Sequence, residues 1–154
     1  MCRIILCLVL CFAPSICFAR DFSSWLDACD MWRDSVIETL ERESVDTDYY
    51  YLMVAESRCN IGAESGKGAM GFWQMMPATG KHYGCGDLND IECSTMAAIR
   101  YIKHLSETFR TFRDVVYAWN MGGHNYRRFG ASYEAKSLYS RVMEIKKYDS
   151  ERLD

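Results

Sequence analysis

The 154-residue chain is 49% apolar, 14% aromatic and 25% charged, with a formal net charge of −3. That content fills the core of one compact domain and excludes a disordered tail. The acidic balance leaves no electrostatic footprint for nucleic acid.

Residues 1–19 have the layout of a secretory signal peptide. Arg3 precedes an apolar run from Ile4 to Ala13, then Pro14 and the small-residue ending Cys17-Phe18-Ala19. Cleavage is expected near Ala19, which leaves residues 20–154 as a single domain in the periplasm or outside the cell. The run falls short of the ~20 residues a spanning helix needs, so no stable membrane anchor is expected after leader removal. The bulky Ile16 argues against a lipoprotein anchor on Cys17. Losing Arg3 from the 18 basic residues leaves 17 against 21 acidic ones, a balance of −4.

Four of the eight cysteines fall in the leader, and Cys29, Cys59, Cys85 and Cys93 remain. In an oxidising compartment these suggest two disulfides, with three pairings open. The Gly/Asp/Asn loop between Cys85 and Cys93 favours that pair, and hence Cys29 with Cys59. With no C-x-x-C spacing and three scattered histidines, a metal site is not expected, and no cofactor is implied.

Ser24-Trp25-Leu26-Asp27 matches a capping box, and Trp25, Cys29, Trp32, Val36 and Leu40 form one helical stripe after it. A polar break at 41–48 separates this helix from a second, expected from Tyr49 to about Arg58. Gly and Ser crowd the segment Asn60–Gly71, which predicts a loop or short hairpin. Pro77 suits the first turn of a short helix. Past the Cys85–Cys93 loop, Met96, Ile99, Ile102, Leu105 and Phe109 repeat at helical spacing. A further helix from Val115 to Asn120 meets a glycine stop at Gly122-Gly123. The last helix carries Ala135, Leu138, Val142 and Ile145 on its inner face. The fold class is mostly α.

Glu56 continues the apolar face of the second helix, three and four positions after Met53 and Leu52. Partial burial raises a carboxyl pKa, as a general acid working near neutral pH requires. The competing reading is a structural salt bridge with Arg58 or another helix. Gly66, Gly68 and Gly71 then lead into Phe72-Trp73-Gln74, which joins close backbone approach to aromatic faces and an amide. The competing reading there is a tight turn with Trp73 as core filler. Ala118-Trp119-Asn120 repeats the aromatic–amide pairing at a helix end. His82 and His104 read as surface positions, and His124 follows the glycine pair where a substrate could reach it.

Together these segments resemble the catalytic domain of soluble lytic transglycosylases. The resemblance rests on Ala55-Glu56-Ser57-Arg58, Ser65, and Gly68-Ala69-Met70-Gly71-Phe72-Trp73-Gln74-Met75-Met76-Pro77-Ala78-Thr79, followed by Ala118-Trp119-Asn120 and Tyr139. It covers roughly Tyr49 to Met143, in the family's order. It implies a lysozyme-like helical fold with a loop or hairpin beside a substrate groove, and peptidoglycan glycan strands as substrate. Glu56 would be the sole acid/base. Ser65, Gln74, Asn120 and Tyr139 would hold the sugar or its N-acetyl group, and Met70, Phe72 and Trp73 would line the groove. Two departures stand out. Phe72-Trp73 replaces the family's Leu-Met, which would narrow the groove, and Trp119 replaces the tyrosine of A-Y-N, which removes a hydroxyl. Tyr117 points nearly the opposite way along a helix and does not substitute for it.

The implied reaction cleaves the β-1,4 bond between N-acetylmuramic acid and N-acetylglucosamine and leaves a 1,6-anhydro end. The alternatives are a muramidase hydrolysing the same bond and a non-catalytic exported wall-binding protein. Goose-type lysozymes, hydrolytic relatives, carry aspartates nine residues before and two after their motif glutamine. Those offsets from Gln74 land on Ser65 and Met76, with Glu64 one residue from the first. By the same resemblance, an assembly for secretion, conjugation or phage uptake is the expected setting.

Overall fold

The computed structural model describes residues 21–153, so the leader expectation falls outside the described residues. Among the described residues there are seven helices. They are α1 (Phe22–Arg42), α2 (Tyr49–Ser57), α3 (Pro77–His82), α4 (Ile91–Thr108), α5 (Phe112–Met121), α6 (Gly123–Phe129) and α7 (Tyr133–Leu153). Among the described residues no strand forms, and only the isolated bridges Glu64–Met70 and Met70–Met75 pair the backbone between α2 and α3. No helix among them is long and apolar enough to cross a membrane.

The short helix α2 is the centre of the core. Tyr49, Tyr50, Leu52, Met53, Val54, Ala55 and Ser57 are all buried in it, so it is apolar nearly all round. The long helices α1 and α7 pack against it, and α4 and α5 complete the shell. Lys146 pairs with Asp48 at the start of α2, and Arg141 Nη1 donates to the carbonyl of Ala55 near its end, 3.1 Å away. Thus α7 holds α2 at both ends.

Two helix starts differ from the capping box and apolar stripes read in the sequence. Asp21, not Ser24, caps α1: its side chain accepts the Ser24 backbone N–H at 3.2 Å. The earlier start adds a turn and buries Phe22, and Asp is as good a cap as Ser. Likewise Asp90 caps α4 through the Cys93 N–H at 2.9 Å, so this helix begins five residues before Met96. The glycine pair ends α5, but Gly123 opens α6, which no apolar stripe announces because none of its residues is buried. Tyr126 ties α6 down by donating its hydroxyl to Asp114 at 2.7 Å.

Both disulfides form in the pairing the Cys85–Cys93 loop favoured. Cys29–Cys59 and Cys85–Cys93 have Cα–Cα separations of 5.2 and 5.3 Å. The first links α1 to the turn that ends α2. There Arg58 and Cys59 both take left-handed backbone conformations, φ 54° and 56°. Non-glycine residues rarely do so, and the disulfide together with the Cys59 N–H bond to Ser57 Oγ (3.0 Å) holds the turn.

Candidate active site

The end of α2, the loop from Ala63 to Met76, the start of α3, Tyr101 of α4 and the end of α5 enclose a cavity of about 410 Å³. Glu56, in the last turn of α2, is half-buried in its wall. Burial pushes its carboxyl up to about 7, while a hydrogen bond from Trp119 and the charge of Arg141 pull the other way. The salt bridge with Arg58 does not form, since that guanidinium stacks over the Trp25 ring at 4.4 Å.

Trp119 has a polar role that the missing hydroxyl had put in question. Its indole Nε1–H donates to Glu56 Oε1 at 3.1 Å. The ring is buried between Trp73 and Tyr101, with centroids 6.1 and 5.3 Å away, so its direction is fixed by packing. An indole N–H can only donate, so it must meet a lone pair. The bond therefore favours a Glu56 proton on Oε2, away from this donor.

The loop is shaped by conformations that few sequences support. Gly71 has φ 72°, and a Cβ there would lie 1.8 Å from the Leu88 carbonyl oxygen. Gln74 takes φ 48°, unusual for a residue with a side chain. Its amide donates to the carbonyls of Ala63 (2.9 Å) and Gly71 (3.0 Å), which leaves its oxygen to accept from a ligand. Ser65 Oγ accepts from the N–H groups of Ala69 (2.9 Å) and Lys67 (3.3 Å), so its hydroxyl can offer a ligand only a proton.

Of the residues singled out in the sequence, Glu56, Ser65, Gln74, Trp119 and Asn120 line this cavity. Phe72 and Trp73 do not. Both are fully buried: Phe72 packs edge-on against Trp32 at 5.6 Å, and Trp73 Nε1 donates to Thr95 Oγ1 at 3.0 Å. The expectation that they line and narrow the groove is corrected, because these large rings face the core under the loop. Met70, bridged to Glu64 and Met75, is partly buried against the core, Tyr139 packs against Tyr117 at 5.7 Å, and neither lines the cavity. Lys67, Thr79 and Tyr101 line it and were missed, as was Arg141 beside Glu56. Thr79 stood inside a quoted segment, but nothing in the sequence marks Tyr101 or Arg141, whose roles depend on how α4 and α7 pack. His82, His104 and His124 are exposed.

The arrangement suits acid/base chemistry at one carboxyl. Glu56 is the only acidic residue among the described residues lining the cavity, which it shares with the Trp119 donor, the Gln74 and Asn120 amides, the Ser65, Thr79 and Tyr101 hydroxyls and Lys67. A family model described as a transglycosylase SLT domain matches residues 35–141.

Proposed function

The chain belongs to the transglycosylase SLT domain family, and from that premise we propose that it cleaves the β-1,4 bond between N-acetylmuramic acid and N-acetylglucosamine without water as acceptor. Glu56 protonates the glycosidic oxygen from Oε2 as the bond to C1 breaks. The substrate's N-acetyl carbonyl supports the positive centre that develops there. Glu56, now a carboxylate, takes the proton of the C6 hydroxyl while O6 bonds to C1. The product is a 1,6-anhydro end, and the enzyme returns to its acid form.

One observation carries this reading: among the described residues Glu56 is the single acidic residue lining the cavity, and burial raises its carboxyl to about 7. Inverting hydrolysis needs a second carboxylate about 6.5–9.5 Å from the acid to activate water. Ser65 and Met76 occupy the positions where goose-type lysozymes place aspartates, and Glu64 is exposed, bridged to Met70, and does not line the cavity. Trp119 serves both halves of the cycle. Its N–H keeps Oε1 unprotonated in the acid form and stabilises the carboxylate once the proton has left. Gln74, Ser65 and Asn120 would orient the N-acetyl sugar, and Tyr101 offers a ring for stacking.

The signal-peptide layout read in residues 1–19 supports action in the periplasm or outside the cell. An assembly for secretion, conjugation or phage uptake is the setting proposed for it. Purified mature protein should release soluble muropeptides from sacculi, and Glu56→Gln should abolish release while leaving the fold intact. Wild-type protein that binds sacculi but releases nothing would make it a wall-binding protein.

A further inference from the structure

A second cavity of about 370 Å³ adjoins the first. Tyr101 lines both, and the consecutive glycines of the α5–α6 junction contribute one residue to each, Gly122 to the first and Gly123 to the second. The two spaces are therefore neighbours along one surface. Their chemistry differs. The first contains Glu56, whereas the second is lined by Arg127, His104 and His124 with Tyr101, Phe109 and Thr108, and by no carboxylate among the described residues. In a chain with net charge −3, a hollow that holds Arg127 and no carboxylate among the described residues is a local reversal.

Arg127 is held in place, since its Nη2 donates to Thr108 Oγ1 at 3.3 Å, from α6 across to α4. Glu107 lies 3.8 Å from His104 Nδ1. Its side chain is 77% exposed and it does not line the hollow, so it leaves Arg127 without a carboxylate partner there. Arg128, next in sequence, turns away and stacks over Phe129 at 5.0 Å.

We propose that this cavity is a subsite for the acidic stem peptide carried by a muramic residue, with Arg127, assisted by His124 and His104, receiving its carboxylates. The proposal rests on the peptidoglycan reading above. A glycan strand seated at Glu56 must direct the peptide on its lactyl group out of the sugar cavity, and the adjoining basic hollow matches that group in charge. Guanidinium–carboxylate bonds are among the stronger polar contacts, and aromatic walls suit the peptide's apolar side chains. Arg127 is a binding residue here and takes no part in bond cleavage.

The test is a titration at pH 7 on protein carrying Glu56→Gln, which does not turn over. The two probes are a disaccharide tetrapeptide and the same disaccharide without peptide. The peptide-bearing ligand should bind about tenfold tighter, the effect of one charge-assisted contact. Adding Arg127→Gln should bring the ratio of affinities close to one, and His124→Gln should lower it. Arg128→Gln should preserve it. Because Arg127 also bonds to α4, a purely structural role would weaken both ligands equally and leave the ratio unchanged, which overturns the proposal. A ratio near one before any change at Arg127, or no binding of either ligand, overturns it too. Loss of this ratio while wild-type protein still cleaves sacculi removes the subsite alone. A preserved ratio with no cleavage removes the catalytic reading alone.

Discussion

Trp119 Nε1 donates to Glu56 Oε1 at 3.1 Å, so the residue that departs from the family's tyrosine is the one in contact with the acid. A hydrogen bond to a charged group contributes about 1.5–3 kcal/mol, and it favours the ionised form. Trp119→Phe removes the donor and keeps an aromatic ring. The alkaline limb of the activity profile should then move upward by roughly one pH unit. The rate at the optimum should also fall, because Oε1 and Oε2 no longer differ. Rates on sacculi between pH 5 and 9 check this, and an unmoved limb would reduce Trp119 to packing.

Glu56→Gln should trade activity for stability. The folded carboxyl titrates near 7 because burial disfavours its charge, whereas in the unfolded chain it titrates near 4.5. The native state thus binds the extra proton, so stability from this group is complete below pH 4.5 and declines as pH rises to about 7. Gln carries no such cost. At pH 8 the variant should melt several degrees above wild type, and at pH 4 the two should coincide. Thermal melts at both pH values measure the gap. A variant less stable at pH 8 would mean that Glu56 is paired rather than merely desolvated.

A buried ionic cluster joins the ends of the chain around the core. Asp149 of α7 is fully buried, receives Arg33 Nη2 of α1 at 2.7 Å and the Tyr51 hydroxyl of α2 at 3.0 Å, and lies 3.2 Å from Arg152. Burial works to raise the Asp149 carboxyl, but the bonds from Arg33 and Tyr51 outweigh it and hold it below its usual value. This group's stability is therefore present above the ordinary Asp range and is lost as pH falls through the depressed value. Asp149→Ala strands Arg33 and should cost about 3–5 kcal/mol. Denaturant melts at pH 7 would measure it, and a loss below 1 kcal/mol would contradict the cluster's role.

Reduction should lower the melting temperature of the protein by several degrees, since a disulfide typically contributes about 2–4 kcal/mol. Of the two, Cys29–Cys59 should matter more for activity, because Cys59 lies three residues after Glu56 in a strained turn. Replacing both Cys29 and Cys59 by Ser should reduce sacculus cleavage more than replacing Cys85 and Cys93. Titration of the unreduced protein should find no free thiols.

Much of this was legible in the sequence, for identifiable reasons. Helices with a wide apolar stripe, such as α4 and α7, announce themselves by period, and Pro77 marks the start of α3. By contrast α6 buries nothing, so no stripe existed to read. Glu56 stood out because a carboxylate interrupts an apolar face. Phe72 and Trp73 were misplaced because residue type cannot say whether an aromatic after a glycine faces the groove or the core. Here tertiary partners hold them in the core, Trp32 against Phe72 and the Thr95 hydroxyl against Trp73, each more than twenty residues away in sequence. Arg141 and Tyr101 were invisible for the same reason, since each joins the site through tertiary packing.

In the proposed reaction Glu56 closes an anhydro ring instead of activating water. Mass spectrometry of the muropeptides released from sacculi by purified mature protein tests it most directly, because anhydro and reducing ends differ by one water. Predominantly 1,6-anhydro ends are expected, and no release by the Glu56→Gln variant. Predominantly reducing ends, lost when Glu64 is changed to Gln, would contradict it and make the enzyme a muramidase.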